Sequence, residues 1–322
     1  MSSFVKRWVG PIIKVILTVA FFYVIRNQIL AKGEVLTLIN QFFENIEVSQ
    51  LFLLLVVLLL MLLNWFLESM KWRAMVNVYY SINIQNSIKA VLMGLSIGIA
   101  TPNRIGEFAG RLLMVPRNKN LLSIKANVLN SIAQNISTIF IGALCLYLNQ
   151  SLIASIKINP LYFIYSLVGI LVLFMILYFW LGSLLNLPWI SYLENKFSRW
   201  GNLSSYPFSI PLKLKVLGFS MFRFLIYCFQ FYLILRVAGV QILPMELFSA
   251  VAFIFMIQSF FPLPPMFNVM ARGGIAILVL GLYNLNEISI LASTFLLWII
   301  NVLIPALIGL LLLIRSRISD SI

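Results

Sequence analysis

Leu51 to Leu63 and Leu296 to Ile314 are apolar runs without an ionisable side chain. Runs of that length are solvated by lipid or buried inside a large protein. Composition decides between the two. Of the 322 residues, 62% are hydrophobic and 10% charged, against about 45–50% and about 25% in ordinary soluble domains. Too few polar side chains remain to coat a water-facing globule, so the chain reads as an all-α polytopic membrane protein.

With no histidine in the sequence, an imidazole base, a His-containing metal site and His-ligated haem are excluded. Cys145 and Cys228 each sit inside an apolar run and read as small hydrophobes, not as a disulfide framework. The 23 Lys and Arg against 9 Asp and Glu, a net +14, fit basic loops facing anionic lipid and carry no other sign of nucleic-acid binding. No cofactor is expected.

Trp8 to Ile25 follows Lys6 and Arg7 and lacks a small-residue cleavage site, which reads as an uncleaved first span. Further spans are expected at Leu51 to Met70, Ser123 to Leu148, Pro160 to Leu184, Val216 to Val237 and Ile288 to Ile314, making six. Ser87 to Met114 and Met245 to Tyr283 are apolar but broken, by Thr101-Pro102-Asn103 and by Pro262-Leu263-Pro264-Pro265. Non-helical backbone at membrane depth survives where it is buried in protein or lines a wet cavity. Both stretches are therefore expected to be re-entrant helical hairpins, with eight or more full crossings as the alternative.

If each hairpin returns to its starting face, Lys6, Arg7, Lys71, Arg73, Lys89, Arg117, Lys119, Lys125, Lys196, Arg199, Lys213, Lys215, Arg315 and Arg317 share one side. The positive-inside rule makes that side cytoplasmic, together with both termini and the polar connection Asn186 to Pro211. The inner membrane of a prokaryote is the expected location. Span, span, hairpin, span then occurs twice, over residues 1–150 and 151–322, the second time upside down. An inverted repeat within one transmembrane domain, 1–322, is the expected organisation.

The segment from Thr101 to Arg111 is the most informative. Thr101 can cap a helix that starts at Pro102 and runs to about Val115, before Pro116. On it Arg104, Glu107 and Arg111 share one face, so Glu107 is expected to pair with Arg104 or Arg111. The second hairpin offers Asn268 and Arg272 on one face, the fifth span Arg223, Tyr227 and Gln230, and the third span a stripe of Asn127, Ser131, Gln134 and Thr138. Lipid cannot satisfy such a stripe, so it is expected to face inward, as a substrate path or as helix-to-helix hydrogen bonds. In this reading Arg104, Arg111, Arg223 and Arg272 face Glu107 as the sole intramembrane carboxylate. The ligand is expected to be anionic, since an arginine fork binds phosphate by two hydrogen bonds. Gly94-xxx-Gly98 and Gly106-xxx-Gly110 read as packing contacts.

Pro102, Gly106, Glu107 and Arg111 in their hairpin setting, with the proline-rich stretch Pro262 to Gly274, resemble the flippase-like transmembrane domain of lysylphosphatidylglycerol synthases and its stand-alone relatives. Such domains are about as long as this chain. The resemblance implies movement of a lipid between leaflets; larger members add a soluble aminoacyl-transferring domain, which these residues do not suggest. The family's second motif often has glycines followed by an acidic residue, where this chain has Arg272-Gly273-Gly274-Ile275. That departure makes the site more basic and argues against a cationic, aminoacylated head group. The leading expectation is a translocase of an anionic phospholipid or lipid-linked head group, with Arg104, Arg111 and Arg272 on the phosphate. A membrane-embedded transferase using Glu107, and a non-catalytic partner of a separate lipid-modifying enzyme, are the alternatives.

Overall fold

The computed structural model describes residues 48–99, 101, 105–149, 160–184, 207–260 and 265–316, together with 19, 23 and 152. Among these the regular elements are helical: α1 (Val48–Val76), α2 (Ile84–Ile99), α3 (Gly106–Leu112), α4 (Asn120–Leu148), α5 (Pro160–Leu184), α6 (Ile210–Val237), α7 (Pro244–Ser259), α8 (Pro265–Leu280), α9 (Glu287–Trp298) and α10 (Ile304–Arg315). Five segments are long and apolar enough to cross a membrane: α1, α4, α5, α6 and the continuous helix from Glu287 to Arg315. They coincide with the second to sixth expected spans. The expected first span lies outside the described residues apart from 19 and 23, as do the two hairpin tips beyond Thr101 and Phe260 and most of the Asn186 to Pro211 connection.

Between α9 and α10, Ile299–Leu303 forms a π-helical turn. Its cause is Pro305, which has no N–H for the carbonyl four residues earlier and whose ring crowds that turn. That carbonyl belongs to Asn301, and the Trp65 indole N–H of α1 donates to it at 3.0 Å. In hydrocarbon an unpaired carbonyl costs several kcal/mol, roughly, so the tryptophan replaces a bond the proline deletes.

α2 has 16 residues and α3 has 7, about 24 and 10 Å of helix against a hydrocarbon core of about 30 Å. Glycine lets them touch in antiparallel register. A β-carbon on Gly94 would sit 2.6 Å from the Glu107 carbonyl, one on Gly98 would sit 2.5 Å from Glu107 Cγ, one on Gly106 would strike the Ile97 carbonyl, and one on Gly110 would strike Gly94 itself. The helix expected to run to about Val115 ends at Leu112, and its expected start at Pro102 lies outside the described residues. Thr101 Oγ1 accepts from the Gly106 N–H at 2.8 Å, while Met114 and Val115 close the far end with three-residue bonds to Arg111 and Leu112. Pro116 disfavours helical backbone at the residue before it.

Both ends of the α2–α3 pair lie at one end of the bundle. Ile82, Val91 and Val115 share an apolar cluster with Trp72 and Val76 of α1, Leu122 of α4, Tyr178 of α5 and Val216 of α6. At the other end, Leu247 of α7 and Leu280 of α8 cluster with Val57 of α1, Leu146 of α4, Leu235 of α6 and Ile290 of α9. α2 packs against α10 and α7 packs against α4. A β-carbon on Gly309 of α10 would strike the Leu92 carbonyl of α2, and Ser96 Oγ donates to the Ala306 carbonyl at 2.5 Å across the same contact.

These close approaches predict that Gly110→Ala lowers stability by about 1–3 kcal/mol, the usual range for overpacking. Gly218→Ala, at an exposed site with nothing within 4 Å of the new carbon, should leave it unchanged. Thermal melting of the two variants in one detergent checks the difference.

Candidate functional site

A cavity of about 470 Å³ opens where α1, α3, α4, α6, α7, α8 and the π-helical turn meet. Its electrostatic centre is Glu68 of α1. Oε1 accepts from Arg111 Nη2 of α3 at 2.7 Å, and Oε2 accepts from Lys71 Nζ at 3.0 Å and from Arg223 Nη1 of α6. Lys71 also donates to Ser220 Oγ at 3.3 Å. Arg111 Nη1 donates to Asn127 Oδ1 of α4 at 2.9 Å, and Arg223 Nε donates to Asn64 Oδ1 at 2.7 Å. One carboxylate therefore joins three helices that are distant in sequence.

One arm of the expected pairing changes, the one through Arg111. Glu107 is not the sole carboxylate at this depth, and the partner of Arg111 is Glu68. Lys71, counted above among loop cations, is buried inside the ion cluster. The reason is reach: Glu68 sits on the same face of α1 as Asn64 and Lys71, and that face meets α6 and α4. Glu107 also lines the cavity, with its side chain passing over Gly98. Arg104, the other expected partner, lies outside the described residues, as does the Asn268 side chain.

Arg272 of α8 forms a second cationic station. It is 8% exposed; Nε donates to Gln258 Oε1 at 2.9 Å and Nη1 to Tyr227 Oη at 2.7 Å. Its guanidinium lies 5.7 Å from the Tyr227 ring centre and 5.6 Å from that of Phe255. Each of these partners is neutral. Among the described residues no carboxylate lies within ion-pair distance of it.

Asn127, Ser131, Gln134 and Thr138 of the expected α4 stripe all line the cavity, as does Tyr227. Their hydroxyls are satisfied locally: Ser131 donates to the Asn127 carbonyl at 3.1 Å and Thr138 to the Gln134 carbonyl at 2.9 Å, the usual arrangement for hydroxyls in membrane helices. Gln230 lies elsewhere. It is buried and donates to the Val57 carbonyl at 3.0 Å, a helix-to-helix bond. The cavity adds Asn64, Glu68, Lys71, Asn130, Gln258 and Asn301, none of them among the expected site residues. A usable signal existed for the first three: a carboxylate and an amide spaced four apart inside a span are costly unless they face a partner.

Removing the carboxylate leaves two buried cations, Lys71 and Arg111, and the partly buried Arg223 without their counter-ion, so Glu68→Gln is expected to cost about 3–5 kcal/mol. Arg223→Gln should recover part of that loss in the double variant. A double-mutant cycle read by melting in detergent checks it, and strictly additive losses would rule the pairing out.

The family model described as Lysylphosphatidylglycerol synthase TM region matches residues 12–316. A search of curated proteins found no match. The matched stretch holds every element that lines the cavity, from α1 to the π-helical turn, and the chain belongs to the family of the lysylphosphatidylglycerol synthase transmembrane region.

Proposed function

We propose that this membrane protein binds an anionic phospholipid, or another lipid with a phosphate-bearing head group, and moves it between leaflets. The observation that carries the reading is Arg272: a buried guanidinium beside the cavity, held by neutral groups and stacked on aromatic rings. Such a charge is costly at membrane depth, and an anion is what relieves it. Arg272 is the proposed direct contact. Arg111 and Arg223, engaged by Glu68, add field more than free donors.

The packing supports the inverted repeat and the re-entrant hairpins on which this reading draws. Each helical pair has both ends in one apolar cluster, the two pairs sit at opposite ends of the bundle, and each packs against the last span of the other half. Two half-length pairs meeting around a polar cavity are how many transporters build a midplane site. The family name attaches this region to a synthase, and that favours, as a second reading, a partner of a lipid-modifying enzyme.

In proteoliposomes the parent should move fluorescent anionic lipids. Arg272→Ala should slow that movement roughly tenfold or more, in line with about 1.5–3 kcal/mol for a hydrogen bond to a charged group, and Arg272→Lys should slow it too, because lysine keeps the charge but loses the fork. Melting curves control for folding. A stable alanine variant that moves lipid at the parental rate overturns the site. Failure of the parent on a broad anionic panel favours the partner reading.

The basic residues Arg73, Lys89, Arg117, Lys119, Lys215 and Arg315 are proposed to face the cytoplasm. Cys145 and Cys228 are buried, so a cysteine placed at the exposed Asn118 should be the one labelled, from the cytoplasmic side. Labelling from the outer face would invert the topology.

A further inference from the structure

Three buried asparagines in the cavity wall have hydrogen-bonding atoms with no partner among the described residues. Asn127 offers Nδ2, Asn130 both amide atoms and Asn301 its Oδ1. Each of the three is 2% exposed and lines the cavity. Buried polar groups are nearly always satisfied, so such a set calls for an explanation. Neighbouring hydroxyls do not supply one, because Ser131 and Thr138 bond to carbonyls of their own helix.

We infer that these amides read a hydroxyl-rich head group, a glycerol or a sugar, carried on the phosphate that Arg272 holds. The inference rests on the anionic-lipid reading above and adds the chemistry beyond the phosphate. A carboxamide presents a donor and an acceptor side by side, which matches a hydroxyl, itself both donor and acceptor. An ammonium has donors alone and brings positive charge. The described lining residues hold four cations, Lys71, Arg111, Arg223 and Arg272, and two carboxylates, Glu68 and Glu107, a net of +2. Glu68 already faces three of those cations. An amine-bearing head group therefore meets repulsion here, whereas a phosphate with a neutral polyol meets complementary charge and complementary hydrogen bonds. The π-helical turn has a part in this, because it is the segment that carries Asn301 into the wall opposite in sequence to α4.

The test is competitive lipid binding to the full chain in detergent, read by native mass spectrometry. The panel is phosphatidylglycerol, phosphatidylinositol and a polyprenyl phosphosugar, against phosphatidic acid, which has a phosphate without a polyol, and phosphatidylserine, which adds an amine. At least one polyol lipid should bind about tenfold tighter than phosphatidic acid and phosphatidylserine, the equivalent of about 1.4 kcal/mol, and the tightest polyol names the source as glycerol or sugar. In Asn130→Leu that ratio should fall to about one. Should that variant fail to fold, Asn301→Leu gives the same comparison. Equal binding of phosphatidic acid and every polyol lipid overturns the inference and leaves the anionic-lipid reading standing. A preference unchanged in the leucine variant overturns it as well, leaving the amides as sites for ordered water or helix packing. Failure to bind any anionic lipid overturns both.

Discussion

Hydrocarbon offers a buried charge no partner, so every ionised group at membrane depth must be answered from within the protein. Glu68 answers three at once, and because Arg111, Lys71 and Arg223 come from α3, α1 and α6, their shared carboxylate sets where those helices meet. The amides of Asn64 and Asn127 each take up one further donor, from Arg223 and Arg111 respectively. The cavity is the space left around this cluster, and its polarity follows from the same residues. A wholly apolar interior would pack tighter and hold no such space.

The second constraint is backbone satisfaction. α2 and α3 are each shorter than a crossing helix, and they pack together because glycine brings their backbones into contact, while Thr101 covers the N–H of Gly106. Pro305 removes a hydrogen bond from the last helix, which carries a π-helical turn there, and Trp65 of α1 takes up the freed carbonyl. Both irregular segments border the cavity, through Glu107 and Arg111 on one side and Asn301 on the other. Irregular backbone is tolerated where it lines a polar site, and here it does so twice. Membership of the lysylphosphatidylglycerol synthase transmembrane family agrees with a membrane protein concerned with lipid.

Much of this was legible in the chain itself. The five described spans follow from uninterrupted apolar length, the broken pairs from prolines inside apolar stretches, and the glycine contacts from four-residue spacing, because each depends on residues near one another in sequence. The inward stripe on α4 follows from the cost of exposing amides to lipid. The ion pairing does not. Glu68 stands three residues before Lys71 and five before Arg73, so it resembles a head-group residue at the end of a span. Arg111 with Glu107 nearby resembles a local pair. Which carboxylate Arg111 meets depends on how α1, α3 and α6 converge, across separations of 43 and 155 residues, and helical periodicity carries no information over such distances. The same holds for Gln230, whose spacing matches Arg223 and Tyr227 but whose face turns to α1 and Val57. Sequence determined the solvent, the spans, the breaks and the sign of the charge; tertiary packing alone decided which charges neutralise one another and which, like Arg272, are held by neutral groups, because pairing in a low-dielectric interior is settled by ångström-scale distance.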